Sequence, residues 1–359
     1  MEGPIDLTLG MARTPYVEAL FNGTVQPKGI HLTCEYVFSE GLDNTGERHR
    51  QILGGTLAGG ECSTSSFLMV RTQGADLVAL PVFLARNFPH RQIWRHEAAT
   101  VRTPSDLAGK RVTVHRWNST SPTWTKGLLQ NEYGVDLKGV HWFTAEDDFE
   151  GEKPPPDFHI ERIPQPATRE KAIAMLASGE IDGSLDPYVE EGPGIRRVLP
   201  DWKKEAAAFF ERRGIYPMSH TLVIRRSILD EHSWVAESLV EAFRAARREA
   251  PKYQTEDQIA HERWLQGFLG QDPRLYKLGP VERRTLAELV KYQFQQGLRS
   301  QPISSSRACA ASRSTLKHSS LSTATDRPVI PTSKGPPRRR TQPASDASLL
   351  PGPAGHNAK

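Results

Sequence analysis

The stretch LPVFLARNFPHRQIWRHE, Leu80 to Glu97, sets Arg86, His90, Arg91, Arg95 and His96 between and beside apolar runs that read as strands. A turn there is ordinarily built from Gly, Asn or Asp; this one carries guanidinium and imidazole groups. A guanidinium fork fits a carboxylate with two parallel hydrogen bonds, and an imidazole exchanges a proton near neutrality. Similar groups recur along the chain. His220 lies far downstream, and Arg116 follows the strand-like Val112 to Val114. Hydroxyl-rich clusters, Ser63 to Ser66 and Asn118 to Thr120, precede segments that read as helices, whose first NH groups donate to anions. Glu61 stands two residues before the first cluster. Each type also has a plain structural use. Ser63 and Ser121 suit N-caps, His90 and His220 suit a packed core, and Trp117 and Trp124 suit packing as well as ring stacking.

The elements that must position these groups alternate. IDLTLGMA and GIHLTCEYV read as strands around a helix at Pro15 to Phe21; GERHRQILGG reads as a helix. ECSTSSFLMVRTQG turns helical after its hydroxyls, and ADLVALPVFL is a buried strand. Further on, Val112 to Val114 is a strand, followed by a helix with Ser121 and Pro122 at its start and Gly134 at its stop. GVHWFTA is the next strand, and EGEKPPPD from Glu150 to Asp157 is an exposed connection. PATREKAIAMLASGEIDGSL is a helix capped by Thr168 and stopped by Gly179, then a strand. SHTLVIRRSIL is another strand, and two amphipathic helices, SWVAESLVEAFRAARREA and GPVERRTLAELVKYQFQQG, close the ordered region. Strands alternating with helices predict a mainly parallel sheet covered on both faces.

Composition narrows the function classes. The net charge of +4 is uneven: Gln301 to Lys359 holds nine Lys or Arg against two Asp or Glu, leaving 37 basic and 40 acidic residues in the rest. Without that segment the chain is no polycation, so a nucleic-acid partner is not expected. The same segment is rich in Ser and Pro without an apolar period, and is expected to be disordered. Its basic run Pro336 to Arg340 reads as part of a solvated tail. Cys34, Cys62 and Cys309 are too few and scattered for a disulfide framework or a zinc site. No apolar run reaches the roughly 18 residues of a membrane span, and MEGPIDLTLGMARTPY lacks the pattern of a secretory signal. The expectation is a cytoplasmic α/β protein with no membrane partner, no cofactor and no dedicated metal site; a homo-oligomer stays open.

Several segments resemble known families. PSDLAGKRVTV followed by a polar loop and a helix is similar to type II periplasmic-binding-protein folds. ECSTSSFL, ALPVFLARNFPHRQIW, GLLQNEYGVDLKGVHW, RRVLPDW and ERRGIYPMSHTLVIRRSILDEHSWVAESLVEAF resemble 4,5-dihydroxyphthalate decarboxylases, in that family's order over about residues 5 to 300. The chain departs from the family at LAGGECS, where relatives usually carry an Asp, and at GSLDPYVEEGPG. The tail from Gln301 has no counterpart.

The resemblance implies a two-lobed type II periplasmic-binding-protein-like α/β architecture with two interlobe crossovers. Residues 1–88 plus 219–300 would form lobe I, 89–218 lobe II, and 301–359 the disordered tail. ARNFPHRQ and YPMSHT would be the crossovers, bringing Arg86, His90 and His220 to a cleft between lobes. It also implies decarboxylation of a hydroxylated aromatic dicarboxylate, with protocatechuate as product. On that reading Arg86, Arg116, Ser63, Ser65, Asn118, Ser119 and Thr120 bind the aromatic carboxylate, and His90, His220 and Glu61 serve acid–base chemistry; Glu61 either has a pKa raised by desolvation or merely pairs with a cation. The alternative is a non-catalytic solute receptor serving a transporter of the ABC type. A thiamine-pyrimidine synthesis relative is a third reading, for which the expected His- and Cys-rich segment is missing.

Overall fold

The computed structural model describes residues 3–36, 38–39, 42–43, 45–146 and 155–299. The tail expected to be disordered, and most of the connection expected at Glu150 to Asp157, lie outside the described residues.

The chain begins with β1 (Ile5–Gly10), α1 (Glu18–Phe21), β2 (Ile30–Glu35), a short antiparallel pair β3 (Phe38–Ser39) and β4 (Leu42–Asp43), then α2 (Thr45–Gly54), β5 (Gly59–Ser63), α3 (Thr64–Thr72) and β6 (Leu77–Ala79). It crosses to a second sheet with β7 (Trp94–His96), β8 (Arg111–Val114), α4 (Thr120–Tyr133), β9 (His141–Thr144), β10 (His159–Arg162), α5 (Arg169–Ser178), β11 (Gly183–Ser184), β12 (Ile195–Arg197) and α6 (Trp202–Arg213). It returns through β13 (His220–Arg225) and ends in α7 (Arg226–Glu231), α8 (Val235–Glu249), α9 (Glu256–Leu269) and α10 (Pro280–Gln295). The first sheet has the order β2-β1-β5-β13-β6; the second runs β10-β9-β8-β11-β7-β12. Each is parallel except where β13, or β7, runs against its neighbours. The expected class, two α/β halves with two crossings of the chain between them, is the observed one. No helix among the described residues is long and apolar enough to span a membrane.

Local chemistry explains the ends of most elements. Thr168 accepts from the Lys171 NH at the start of α5, and Gly134 and Gly179 take left-handed conformations at helix stops, as their sequence positions predict. The start of α4 differs from expectation: the helix begins at Thr120 with Ser119 as the flanking residue, so Ser121 and Pro122 lie inside its first turn. Proline is tolerated there because that turn's NH groups have no partner within the helix.

The first sheet's core joins β1, β2 and β13 to α1 and α8, whose Val235, Leu239, Phe243 and Ala246 fall at helical spacing on one buried face. The second core sets Val112, Val114 and Trp142 against Trp124, Leu128 and Phe209. Leu265, Leu289 and Tyr292 of α9 and α10 belong to this second cluster, although sequence order assigns them with lobe I. An amphipathic helix reveals which of its faces is apolar but not which sheet that face covers.

Candidate functional site

The antiparallel register of β5 and β13 pairs His220 with Ser63 and Leu222 with Glu61. Residues two apart share a strand face, so Glu61 and His220 are diagonal neighbours on one face, within reach of long side chains. His220 Nδ1 lies 2.6 Å from Glu61 Oε1. The other carboxylate oxygen accepts from the Ala12 NH at 2.8 Å and stands 3.7 Å from the Arg48 guanidinium. Arg48 Nε also donates to the Glu61 carbonyl at 3.2 Å. Burial alone would push the Glu61 carboxyl up, but the charges of His220 and Arg48 and the hydrogen bonds from His220 and Ala12 outweigh it and hold it at about 2. Of the two expectations for Glu61, pairing with cations is the one observed: desolvation is present, and the cations overcompensate it. Glu61 is an anion that keeps a proton on His220 Nδ1, while the His220 side chain stays one-quarter exposed.

Beside this pair His49, fully buried on α2, accepts the Ser63 NH at 2.9 Å through Nε2. Burial, then the charges of His220, Arg48 and Arg116, hold its pKa well below the ordinary histidine value.

The second sheet contributes residues just beyond the carboxyl ends of parallel strands, where α/β sheets bind ligands. His115 and Arg116 follow β8, Glu146 follows β9 and Asp186 follows β11. Arg116 meets Glu146 at 2.5 Å, and Arg169 at the start of α5 meets the same carboxylate at 2.8 Å. Arg169 Nε lies 3.8 Å from Asp186, and its guanidinium covers the exposed ring of Tyr188 at 4.0 Å.

The hydroxyl clusters join the two sheets. Ser63 Oγ and Thr120 Oγ1 are 2.7 Å apart, and the Ser65 NH donates to Thr120 Oγ1 at 2.8 Å. Ser65 Oγ is also bonded by Gln293 of α10 at 2.8 Å. Ser63 precedes α3 without making a side-chain cap bond. Asn118 is fully buried; Ser119 supplies the carbonyl that receives the Thr123 NH and hydroxyl. These residues meet at one place, mainly bonded to one another and to backbone.

Two expected members lie elsewhere. Arg86 is buried, donating to Glu282 of α10 at 3.1 Å and to the Tyr216 carbonyl at 2.7 Å, with its guanidinium 3.9 Å above the Tyr216 ring. That leaves it bracing the crossover rather than open to a carboxylate. His90 is packed against Phe209 at 5.2 Å and Phe88 at 6.2 Å, and burial with the charge of Arg212 lowers its pKa to about 3. Its electrostatic neighbours do not include Glu61 or His220. The crossover reasoning holds for the backbone: Ala85 pairs with His220, its carbonyl receiving the Ser219 NH at 2.7 Å. Five residues away, the side chain of His90 serves the core. Conversely Arg48, His49, His115, Glu146, Arg169 and Asp186 join the site without having been singled out. The usable signal was position one or two residues past a parallel strand, which marks His115, Glu146 and Asp186; for Arg48 and His49 only the basic face of a short helix was visible.

No family model matches the chain. The sequence is 31% identical over 195 residues to a 4,5-dihydroxyphthalate decarboxylase of Comamonas testosteroni, covering 51% of this chain and 58% of the relative. It is 30% identical over 134 residues to a 4,5-dihydroxyphthalate decarboxylase of Pseudomonas putida, covering 35% of this chain and 51% of that one. The chain therefore spans little more than half the length of the curated relatives it matches. Among solved structures, the periplasmic aliphatic sulphonate-binding protein of Escherichia coli superposes with a TM-score of 0.52 at 13% identity, over 85% of this chain and 92% of that one. The resemblance read from the sequence is thus supported in family and in fold.

Proposed function

We propose that this chain, similar to 4,5-dihydroxyphthalate decarboxylases, is a carboxy-lyase acting on a hydroxylated aromatic dicarboxylate. The likeness suggests 4,5-dihydroxyphthalate as substrate, protocatechuate and carbon dioxide as products, and a cytoplasmic role in aromatic catabolism. The observation that carries the reading is the Glu61–His220 pair at 2.6 Å, on the strand whose Ser63 bonds Thr120 of the second half at 2.7 Å. Arg116 and Arg169, paired with Glu146 but partly exposed, are the guanidinium groups offered to the ring carboxylates. Loss of a ring carboxylate replaces a C–C bond by a C–H bond, so one proton must reach the carbon that bears the departing group. His220, oriented by its Nδ1 hydrogen bond with Glu61, delivers a proton from Nε2 to that carbon while the para hydroxyl gives up its proton. The ring becomes a cross-conjugated ketone, the bond to the carboxylate breaks, carbon dioxide leaves, and its electron pair restores aromaticity as the hydroxyl regains a proton. A positioned acid of this kind typically contributes 10²–10⁴-fold.

The test is incubation with a panel of hydroxyphthalates, following carbon dioxide release and substrate loss, with His220→Gln beside the parent at saturating substrate. The reading expects turnover by the parent, and a single-turnover rate about 100-fold lower in the variant with substrate still bound. Binding by the parent without any turnover would make the protein a solute receptor instead.

A further inference from the structure

Resting on that reading, we propose that a second carboxylate–imidazole pair, Asp186–His115 on the other sheet, is the base of the reaction: His115 Nε2 takes the proton of the ring hydroxyl para to the departing carboxylate and returns it when the ring regains aromaticity. The exchange balances, since the hydroxyl proton is stored on His115 and handed back, while the proton that stays in the product comes from His220.

The geometry parallels that of the first pair. β8 and β11 are parallel neighbours with Val112 opposite Gly183 and Thr113 opposite Ser184. Carried two residues further, the register sets Asp186 beside His115. Asp186 Oδ2 is 3.9 Å from His115 Nδ1, and its Oδ1 accepts from the Tyr188 NH at 2.9 Å, which fixes the carboxylate. His115 Nδ1 makes no hydrogen bond, so the Asp186 carboxyl, whose pKa burial pushes up to about 6, faces a nitrogen with nothing else to satisfy it. Contacts of this length shorten when catalytic groups engage a substrate. With Nδ1 turned to Asp186, Nε2 is the nitrogen left for a ligand. The ring stands edge-on to Tyr188 at 6.3 Å, beside the Arg169 that covers that phenol.

The two pairs also differ in their surroundings. Burial first, then the charges of Arg116, Arg169, Lys126 and His220, hold the His115 pKa well below the ordinary value, so its imidazole rests neutral with a lone pair on Nε2. His220 instead has the Glu61 carboxylate hydrogen-bonded to its ring at 2.6 Å.

The test compares the parent, His115→Gln, Asp186→Asn and His220→Gln in single turnover on two substrates. One is 4,5-dihydroxyphthalate; the other is a ring-nitrated analogue whose para hydroxyl is already ionised at the assay pH. His115→Gln should slow the first substrate by about 100-fold, yet slow the ionised analogue less than about fivefold relative to the parent, because no hydroxyl proton needs removing. His220→Gln should slow both by about 100-fold. Equal losses on both substrates in His115→Gln, or a parental rate on the first, overturn the proposal. If thermal melting shows that His115→Gln does not fold, Asp186→Asn carries the test, with about tenfold slowing on the first substrate only. A parent inactive on both substrates sinks the decarboxylase reading and this proposal with it; that outcome is visible before any variant is compared.

Discussion

His90 and His220 are both histidines at a crossing between sheets, and their surroundings give them opposite work. Against Phe88 and Phe209 an imidazolium would have neither water nor a counter-ion, so His90 stays neutral, its pKa lowered to about 3 by burial and by Arg212. The unfolded chain takes up a proton below about 6.5 while the folded chain refuses it. Stability is therefore complete above that pH and falls as the pH drops from about 6.5 towards 3. His90→Phe should flatten this part of the profile in thermal melts at stepped pH and leave turnover at the parental rate; a 100-fold loss of rate would return His90 to the chemistry. Glu61 acts in the same sense. Its depressed value, about 2, contributes stability that is present above about 4.5 and lost as the pH falls towards 2. Glu61→Gln should remove that acid-side loss and also slow turnover, since His220 loses the anion that holds its proton. Residue type showed that imidazoles and carboxylates were available, but type alone carries no information about which carboxylate faces which imidazole.

At the level of elements, the site depends on how closely two strands approach. Gly60 in β5 has φ +148°, and a Cβ there would lie 2.0 Å from the Gly10 carbonyl oxygen of β1. The LAGGECS segment, where the chain departs from the decarboxylases it resembles, is thus a place where backbone meets backbone, next to the Glu61 that pairs across to β13. Gly60→Ala should cost roughly 2–5 kcal/mol, from strained backbone and overpacking together; a urea midpoint unchanged from the parent would show that β1 can move aside. The Arg86–Glu282 pair ties the first crossover to α10 in the interior. Removing one member of a buried pair strands the other, so Glu282→Ala should destabilise by about 3–5 kcal/mol. Arg86 was misread because its partner lies 196 residues further along. A guanidinium beside a turn looks the same in sequence whether it awaits a ligand or already holds a carboxylate. Helix caps were legible, as at Thr168 and Gly134, because each involves residues within a few positions of one another.

Across the whole molecule, alternation of strands and helices was legible because burial on both faces leaves a local apolar signature in each strand. The two crossings were legible through resemblance, and the pairing of Ala85 with His220 gives them physical form. What sequence order did not disclose is that the last helices return to the second sheet, placing Tyr292 in its core and Gln293 on Ser65 of the first. A ligand at the meeting of the sheets therefore touches groups braced by both halves and by α10, and its binding should stabilise the folded chain as one unit. At a concentration of 100 Kd the linkage amounts to about 2.7 kcal/mol, seen as a rise in melting temperature with 4,5-dihydroxyphthalate. The partly exposed basic groups lie on both sheets, His220 on one and Arg116 with Arg169 on the other. Two adjacent carboxylates can thus engage both halves, whereas benzoate can engage only one. A dicarboxylate should raise the melting temperature well above the shift given by benzoate at equal concentration. Arg116→Ala should remove roughly 1.5–3 kcal/mol of dicarboxylate affinity in calorimetry, the range for a charge-assisted contact. Equal shifts from the two acids, or an unaltered affinity in Arg116→Ala, would place the anion site away from the junction of the sheets.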